Sequence, residues 1–348
     1  MSEKMPMGER PEPIFVGHAS DARKQEAMSE VMNNFRESNL DDLLPENLNI
    51  IKKLLYEKFG EKEKEEYQLR TIELVNQATN ELLEEFGLKP FDIPEKNIHI
   101  VRESLYKQID PAPGAAGCTI GPSQTIVIND ESLPSPLSMS GAIAHEMIHL
   151  KGYYAFEVSK KRFASHRTGL VIDTTYKKSK ESGYYRAFKG LNESVVSELE
   201  KRLFNRIVVD NEHLSSESER INSQQFYAVR ARIAKQEGIP EDEILDISEK
   251  EKSFTRFDYY SQRRVLNFIV DAVYENNKES FQSRDEILKQ FFRAHFQGNI
   301  VPIARLIEKT FGEGSFRFIS VMGDNEGKTS SMVMDYLVKQ KARIGKTE

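Results

Sequence analysis

Residues 141–152 read GAIAHEMIHLKG, and this stretch predicts both the central helix of the fold and its chemistry. His145 and His149 stand four residues apart, and Glu146 directly follows the first histidine. In an α-helix, residues four apart lie within roughly 40° of each other around the axis and about 6 Å along it, so both imidazoles can reach one metal ion. The pattern H-E-x-x-H on a helix is typical of a zinc site in which the glutamate takes a proton from water.

The residues around this motif are apolar, which indicates that the helix is buried. Ser138 or Ser140 is a suitable N-cap, and Gly152 is suited to end the helix. Imidazoles that are buried without a partner are energetically costly. The chain has only 7 histidines, so about one chain in a hundred would contain the pentapeptide by chance. We therefore interpret the motif as a zinc site.

The composition excludes several classes of protein. The 348 residues are 39% hydrophobic, enough for a sizeable core, and no apolar run is long enough to span a membrane. A net charge of -6, with both signs interleaved, offers no basic face for nucleic acid. The polar start MSEKMPMGERPEP does not resemble a secretory signal, and the single cysteine, Cys118, cannot form an intramolecular disulfide. We expect a cytoplasmic protein with no nucleic-acid or membrane partner.

Apolar periodicity and turn-forming residues divide the chain into four segments. We predict a flexible tail over 1–21, a helical N-terminal lobe over 22–95, a core over 96–208 and a mostly helical C-terminal lobe over 209–348. The helical periodicity of the N-terminal lobe depends on apolar residues in two groups, which are Leu43, Ile50, Ile51, Leu54 and Leu55, and then Leu69, Ile72, Val75, Leu82 and Leu83.

Within the core, the sequence predicts strands on both sides of the motif. IHIV (98–101) and TIVIND (125–130) precede the helix, whereas FASHRTGLVID and GYYRAF follow it as a β-hairpin or extended excursion. A second buried helix is expected to start near Leu191 and to run towards Arg206.

A catalytic zinc site of this kind needs a third protein ligand. The metzincin pattern would place a histidine at position 155, where this chain has Ala155, so that pattern is absent. HEMIHLKG also resembles the H-E-x-x-H-L-x-G segment of deformylases, and Cys118 would then be the third ligand. However, Cys118 precedes His145 by 27 positions, and its GCTI context differs from the E-G-C-L-S of that family. The deformylase resemblance is kept as an alternative.

Asn192 and Glu193, in LNESVVSELEKRL, provide a better candidate for the third ligand. Together with HEMIH, this N-E pair resembles the gluzincins, which are thermolysin-like peptidases of the zincin fold, over roughly residues 98–206. The resemblance implies that Glu193 completes the zinc site and that Glu146 is the general base. A glutamate that only interacts with the start of its own helix is the other reading of Glu193.

Two features depart from the gluzincin pattern. The acidic residue that the family has four positions after its glutamate ligand is Ser197 here, with Glu198 next to it. The spacer after the motif is also longer, which an inserted hairpin over RFASHRTGLVIDTT would explain. Asn192 and Glu198 are the nearby candidates for hydrogen bonds to the ligand histidines.

Two further predictions concern the substrate. TIVIND stands where zincins place the edge strand that pairs with an extended peptide, although a core strand would have the same alternation. Peptide hydrolysis also needs a donor for the developing oxyanion, and Tyr260 and Arg264, one helical turn apart, are one pair that could face a cleft. The residues chemically able to act as that donor are Tyr153, Tyr154, His166, Arg167, Tyr184, Tyr185, His213, Tyr260 and Arg264.

The sequence thus predicts an α+β protein with a zincin-like core, formed by a small sheet and the active-site helix and flanked by helical lobes. We expect one Zn²⁺ per chain, bound by His145, His149 and Glu193, and a metallopeptidase in which Glu146 activates water against a peptide or protein substrate. The alternatives are a deformylase-like zinc or iron amidase that uses Cys118, and a non-catalytic interaction or regulatory protein with the zincin fold. The pattern does not predict the oligomeric state.

Overall fold

The structure is a computed structural model that describes residues 10–38, 43, 60–110, 115–159, 163–178, 181–248, 253–323 and 327–344. Helices and small separate sheets make up the described part of the chain, which is therefore α+β, as predicted. The strands β1 to β11 are Ile14–Val16, Glu61–Lys62, Ile98–Val101, Gly117–Ile120, Thr125–Asn129, Tyr154–Val158, Phe163–Thr168, Val171–Lys178, Glu181–Ala187, Ile244–Ile247 and Phe254–Arg256. The α-helices α1 to α12 are Asp21–Arg36, Glu66–Glu85, Glu103–Ile109, Pro136–Lys151, Lys189–Val209, Ser215–Ile221, Gln224–Glu237, Tyr260–Glu275, Arg284–Gln297, Val301–Phe311, Ser315–Ile319 and Gly327–Ile344.

A four-stranded sheet lies beside the helix that carries the motif, with strand order β2-β3-β5-β4. β3 and β5 are parallel, whereas β2 and β4 pair antiparallel with them at the two edges. All five residues of β5 are buried. Of the two interpretations of TIVIND, the core strand is therefore the correct one, because β4 pairs with the side of β5 that faces away from β3. The edge strand beside the motif helix is β4.

The hairpin predicted after the motif is confirmed, and it is larger than expected. β6, β7, β8 and β9 are joined in antiparallel succession, and β1 pairs with the outer side of β6 in parallel orientation. β6 to β9 lie between α4 and α5 in the chain, and the two helices pack directly against each other.

The N-terminal segment contradicts the prediction of a flexible tail for residues 10–21. Arg10 is buried, and its guanidinium donates to the carbonyl oxygen of Leu150 at 2.9 Å, while Ile14–Val16 form β1. The aromatic rings of Phe35, Phe91 and Tyr154 surround the same guanidinium. Sequence periodicity missed the segment because one arginine and three strand residues give no periodic signal.

The predicted N-terminal lobe is only partly described. Its second group of apolar residues lies on α2, as predicted, and Leu43 packs against a small cluster around Val101 and Tyr106. Ile50, Ile51, Leu54 and Leu55 lie outside the described residues. The main apolar cluster includes residues from Val31 to Leu337. One hydrophobic core therefore joins residues of the predicted N-terminal lobe, central core and C-terminal lobe.

The C-terminal part is mostly helical, with two local differences from what the sequence suggests. Residues 244–256 contain the antiparallel pair β10 and β11, and Ser315–Ile319 form a short helix, α11. α8 packs between α5 and α12, so the C-terminal helices cover one side of the motif region. Within the described part of the chain, every helix is too short or too polar to span a membrane.

Candidate metal centre

Capping residues define the two ends of the motif helix α4, and burial determines which groups its polar side chains can contact. The side chain of Ser135 accepts a hydrogen bond from Ser138 N at 3.2 Å, and Pro136 occupies the first helical position, where a missing N–H has no cost. Gly152 ends the helix, as predicted. Apolar residues on all sides bury the helix, so the polar side chains of the motif can only meet one another or neighbouring polar groups.

Three side chains from two helices meet at one point, and we call them the His-His-Glu cluster: His145, His149 and Glu193. The Nε2 atoms of the two histidines are 3.1 Å apart, and Glu193 Oε2 lies 3.0 Å from His149 Nε2 and 3.4 Å from His145 Nε2. The structure therefore brings together the three residues that the sequence predicts as ligands, and they form a group that could hold a metal ion.

The dimensions of this triangle fit a small metal ion. A tetrahedral ion with nitrogen and oxygen ligands at about 2.0–2.1 Å places neighbouring ligand atoms about 3.3–3.4 Å apart. The three edges of the cluster are 3.0, 3.1 and 3.4 Å. Two imidazole nitrogens at 3.1 Å cannot both carry a hydrogen on the line between them, so at least one lone pair points into the cluster. The residues present therefore fit a bound cation.

Electrostatics couples the members of the cluster. Burial alone would raise the pKa of Glu193, but the adjacent His149 and His145 outweigh it and hold the pKa far below its usual range. Burial alone would lower the pKa of His145, but hydrogen bonds to Glu193 and Glu200 raise it well above its usual value. The carboxylate is thus kept ionised, which is the state that a metal ligand requires.

The ring nitrogens that face away from the cluster have their own partners. His145 Nδ1 lies 3.0 Å from Glu200 Oε2, and His149 Nδ1 lies 3.4 Å from Asn192 Nδ2. Asn192 was predicted for this role, but Glu198 was not the second partner, because it turns to Arg202 on the same helix. Glu200 takes its place, seven residues after Glu193 and hence two turns further along the same face of α5.

Glu146 is buried beside the cluster without belonging to it. Thr119 on β4 donates from its hydroxyl to Glu146 Oε2 at 2.7 Å and also lies 3.0 Å from the Glu146 carbonyl oxygen. A side chain at Gly117 would meet Glu146 Cγ at 3.0 Å, so a glycine keeps the edge strand close to the helix. The carboxylate is thus held between the edge strand and the metal ligands.

Cys118 lies on the other face of β4. Its thiol is paired with the Tyr106 hydroxyl and packs with Val101 and Val127, whereas its neighbour Thr119 points to Glu146. Burial raises the pKa of Cys118 to about 12, so the thiolate that binds metals is strongly disfavoured. Among the described residues, Cys118 is not part of a group that could hold a metal. The geometry therefore contradicts the alternative that uses Cys118 as the third ligand.

The predicted oxyanion donors are scattered, and none of those described contacts the cluster. Arg264 is exposed and stacks over Tyr260, while His213 faces Glu66 on the surface. The side chain of Tyr184 lies outside the described residues. Tyr153 stacks with Arg167, Tyr154 lies against the Arg10 guanidinium, and Tyr185 contacts Ser320. Nδ1 of His166 and two guanidinium nitrogens of Arg167 are buried without a hydrogen-bond partner.

Two residues that sequence reasoning missed do reach the cluster. The ring of Tyr259 lies parallel to that of His145, with centroids 5.7 Å apart, and its backbone adopts a left-handed conformation with φ of 56°. Such a conformation is strained for a tyrosine and is found disproportionately at functional sites. His295 on α9 is fully buried and lies beside His149. Neither has a sequence signal, because no spacing links them to the motif.

Comparisons of this chain with protein-family models, with curated proteins and with solved structures found no match.

Proposed function

We propose that this protein is a zinc-dependent peptidase with His145, His149 and Glu193 as metal ligands and Glu146 as general base. The observation that carries the proposal is the triangle of ligand atoms at 3.0–3.4 Å with a separate buried carboxylate beside it. A purely structural site would close the fourth position with another protein ligand. Among the described residues, no fourth histidine, cysteine or carboxylate joins the group.

Zinc is the metal that this set of ligands favours. Two imidazoles and one carboxylate, with one position left open, are the ligands of catalytic zinc in several peptidases. Sites built only from oxygen atoms favour magnesium or calcium instead. When bound here, zinc would supply a Lewis acid that polarises a carbonyl group and lowers the pKa of water.

Glu146 would move the protons of the reaction. It accepts one from the attacking water and delivers it to the amine that leaves when the C–N bond breaks. The hydroxyl of Thr119 fixes one carboxylate oxygen at 2.7 Å, so the other oxygen is the one available for this transfer. Tyr259, whose ring stacks on the ligand His145, is the proposed hydrogen-bond donor to the oxyanion.

The edge strand β4 supports a peptide as the substrate. β4 pairs with β5 on one side only, and it is the last strand in the sheet order. An extended peptide could add to its outer side through main-chain hydrogen bonds. Gly117 and Thr119 on this strand lie against Glu146, so a peptide bound there would pass the general base.

The first test is zinc stoichiometry, measured by elemental analysis after depletion and re-equilibration with limiting zinc. We expect about one zinc per chain in the wild type and none in His149→Ala or Glu193→Ala. Absence of zinc from the wild type would refute the proposal, and retention by Glu193→Ala would remove that ligand from it.

The second test is cleavage of a peptide library. The wild type should cleave peptides, and Glu146→Gln should keep zinc while it loses cleavage by at least about 10²–10⁴-fold. Equal cleavage by Glu146→Gln would show that another group is the base. If neither protein cleaves any peptide although both bind zinc, the peptidase proposal fails and the metal site remains.

A further inference from the structure

His295 connects the C-terminal helices to the end of the motif helix. It lies in the last turn of α9 and is fully buried. Its Nε2 is 3.2 Å from the carbonyl oxygen of Ile148, and its own carbonyl accepts a hydrogen bond from Tyr153 N at 3.0 Å. The Ile148 carbonyl oxygen already accepts a hydrogen bond from Gly152 N at 3.1 Å, so His295 adds a second polar contact at the end of α4.

The same imidazole also contacts the second ligand-bearing helix. His295 Nδ1 lies 3.1 Å from Asn192 Oδ1, and the same oxygen accepts a hydrogen bond from Leu170 N at 2.9 Å. The amide nitrogen of Asn192 faces His149 Nδ1 at 3.4 Å. His295 therefore contacts Ile148, which precedes one ligand, and Asn192, which precedes the other ligand, Glu193.

The space around His295 fits an imidazole closely. A Cβ atom at Gly152 would lie 2.8 Å from Nε2, and a Cβ atom at Gly169 would collide with the ring. Gly169 and Gly298 both adopt positive φ angles, 57° and 70°, which L side chains rarely adopt. The absence of side chains at Gly152 and Gly169 leaves room for the ring of His295, which the two segments enclose.

We infer that His295 is a positioning residue of the metal site. A neutral imidazole carries a single N–H, so His295 donates to one of the two acceptors, the Ile148 carbonyl oxygen or Asn192 Oδ1, and packs against the other. Through these two contacts it holds the end of α4 against the start of α5 and thereby sets the positions of His149 and Glu193. This inference rests on the proposed function, because it assumes that these two residues bind a metal. The helix α9, more than a hundred residues after the motif, then belongs to the metal centre.

Phe296 provides a matched control for simple loss of packing. It follows His295 on α9, is also buried, and packs its ring against Phe86 with centroids 6.3 Å apart and edge to face with His295 at 5.1 Å, so its replacement also removes apolar packing around His295. Phe296→Leu should weaken the core without touching a polar contact of the metal site. Any effect on metal binding that His295 variants show and Phe296→Leu does not is then an effect of positioning.

The experiment measures the dissociation constant of Zn²⁺ by competition with a chromophoric chelator, together with the free energy of unfolding of each metal-free protein. We expect His295→Ala to weaken zinc binding by about 10–100-fold, the usual cost of losing a partner of the ligand shell. Phe296→Leu should lower the stability and leave the zinc affinity within about twofold of the wild type.

Two conservative variants identify which contact of His295, that with Asn192 or that with Ile148, affects zinc binding. The amide of His295→Asn stands near the place of Nδ1 and can still contact Asn192, whereas the amide of His295→Gln stands near Nε2 and can still contact Ile148. At least one should recover part of the zinc affinity lost in His295→Ala. Both also serve as folded substitutes if His295→Ala does not fold.

Three results would overturn the inference while the proposed function stands. The first is that all folded His295 variants bind zinc as tightly as the wild type. The second is that neither His295→Asn nor His295→Gln recovers any of the affinity lost in His295→Ala. The third is that Phe296→Leu loses as much zinc affinity as His295→Ala. A wild type that does not bind zinc would overturn the proposed function and the inference with it.

Discussion

Two clusters of charged side chains include residues of α5 and differ in how they are balanced. The His-His-Glu cluster contains two imidazoles that face each other at 3.1 Å. The second cluster, which we call the Arg263 network, consists of Lys201, Asp242, Glu243 and Arg263. Arg263 Nη1 donates to Glu243 at 2.9 Å, and Lys201 donates to Glu243 and to Asp242, both at 2.7 Å.

The charges of the Arg263 network balance without any further group. Two positive and two negative groups balance, and the carboxylates face donor hydrogens. In the His-His-Glu cluster, two imidazole nitrogens and one carboxylate oxygen converge on one point, and at least one nitrogen lone pair is directed there. The comparison teaches that burial and close charged contacts do not by themselves distinguish a candidate metal site. The convergence of atoms that can offer lone pairs does, because one cation could bind all three of them.

The largest expected effect is the loss of metal after a change in the first cluster. His149→Ala removes one of the three proposed ligands and should weaken zinc binding by at least about 10³-fold, since each ligand supplies a large share of the binding free energy. Arg263→Met removes no proposed ligand, but the Arg263 charge also acts on Glu200, the partner of His145, so zinc affinity should change by less than about tenfold. Isothermal titration calorimetry checks both, and equal losses in the two variants would contradict the distinction between the clusters.

The Arg263 network should instead affect stability. Arg263 is 1% exposed, so Arg263→Met leaves the Glu243 carboxylate buried beside one remaining cation. We expect a loss of about 3–5 kcal/mol in the free energy of unfolding, measured with urea. Adding Glu243→Gln should recover part of this loss, because it removes the uncompensated charge. If the loss in the free energy of unfolding of the double variant equals the sum of the losses of the two single variants, Arg263 and Glu243 are not directly coupled.

Lys151 tests a third case, a buried cation with no carboxylate in contact. Its ammonium donates to the Asn76 carbonyl oxygen at 3.2 Å and to Asn80 Oδ1 at 2.8 Å, and burial lowers its pKa to about 7. Between this pKa and the unfolded value of about 10.4, the unfolded chain binds more protons, so stability rises with pH. Below pH 7 the cost of the buried charge is fully present.

The measurement compares the wild type with Lys151→Met in urea at pH 6 and pH 9. The stability of the wild type relative to the variant should increase by about 2–3 kcal/mol between these pH values. The other titrating groups are shared, so they cancel in the difference. A constant difference, or one that falls with pH, would mean that Lys151 keeps its ordinary pKa in the folded protein.

The smallest expected effect concerns the edge strand. Thr119→Val keeps the shape of the side chain but removes the hydroxyl that donates to Glu146 Oε2 at 2.7 Å. We expect kcat/KM for peptide cleavage to fall about tenfold, because one hydrogen bond to a charged group is lost. Zinc stoichiometry should stay at that of the wild type. If kcat/KM falls tenfold and zinc is lost as well, the substitution acts through metal binding instead of through Glu146.

The part of the site predictable from the sequence is the part encoded by local spacing. A spacing of four residues within a helix places His145 and His149 on the same face whatever surrounds them. The N-E pair identified Glu193 on the next buried helix. Glu200 was missed although it lies two turns after Glu193, because several glutamates of α5 share that region and only packing decides which one turns inward. The sequence placed Glu198 in that role, and the structure turns it to Arg202.

Features that depend on distant parts of the chain could not be predicted. The alternation in TIVIND marks a strand, but strand order is a property of the assembled sheet, so the sequence could not decide between an edge and a core position for β5. Tyr259, directly before α8, and His295, on α9, reach the cluster from segments whose sequences carry only ordinary apolar periodicity. The α+β class and both core helices follow from periodicity, whereas the zincin-like core remains a prediction.

The contact between α9 and α4 has a consequence for the order of biosynthesis. Residue 295 follows residue 149 by 146 positions, and at about 5–20 residues per second the ribosome needs roughly 7–30 s to add them. Before residue 295 is added, the nascent chain already holds both histidines and, from residue 193 onward, Glu193, but it lacks the imidazole that contacts the carbonyl oxygen of Ile148 and Asn192. The proposed ligands are therefore made well before the helix that positions them, and an unfinished chain carries these three residues without that support.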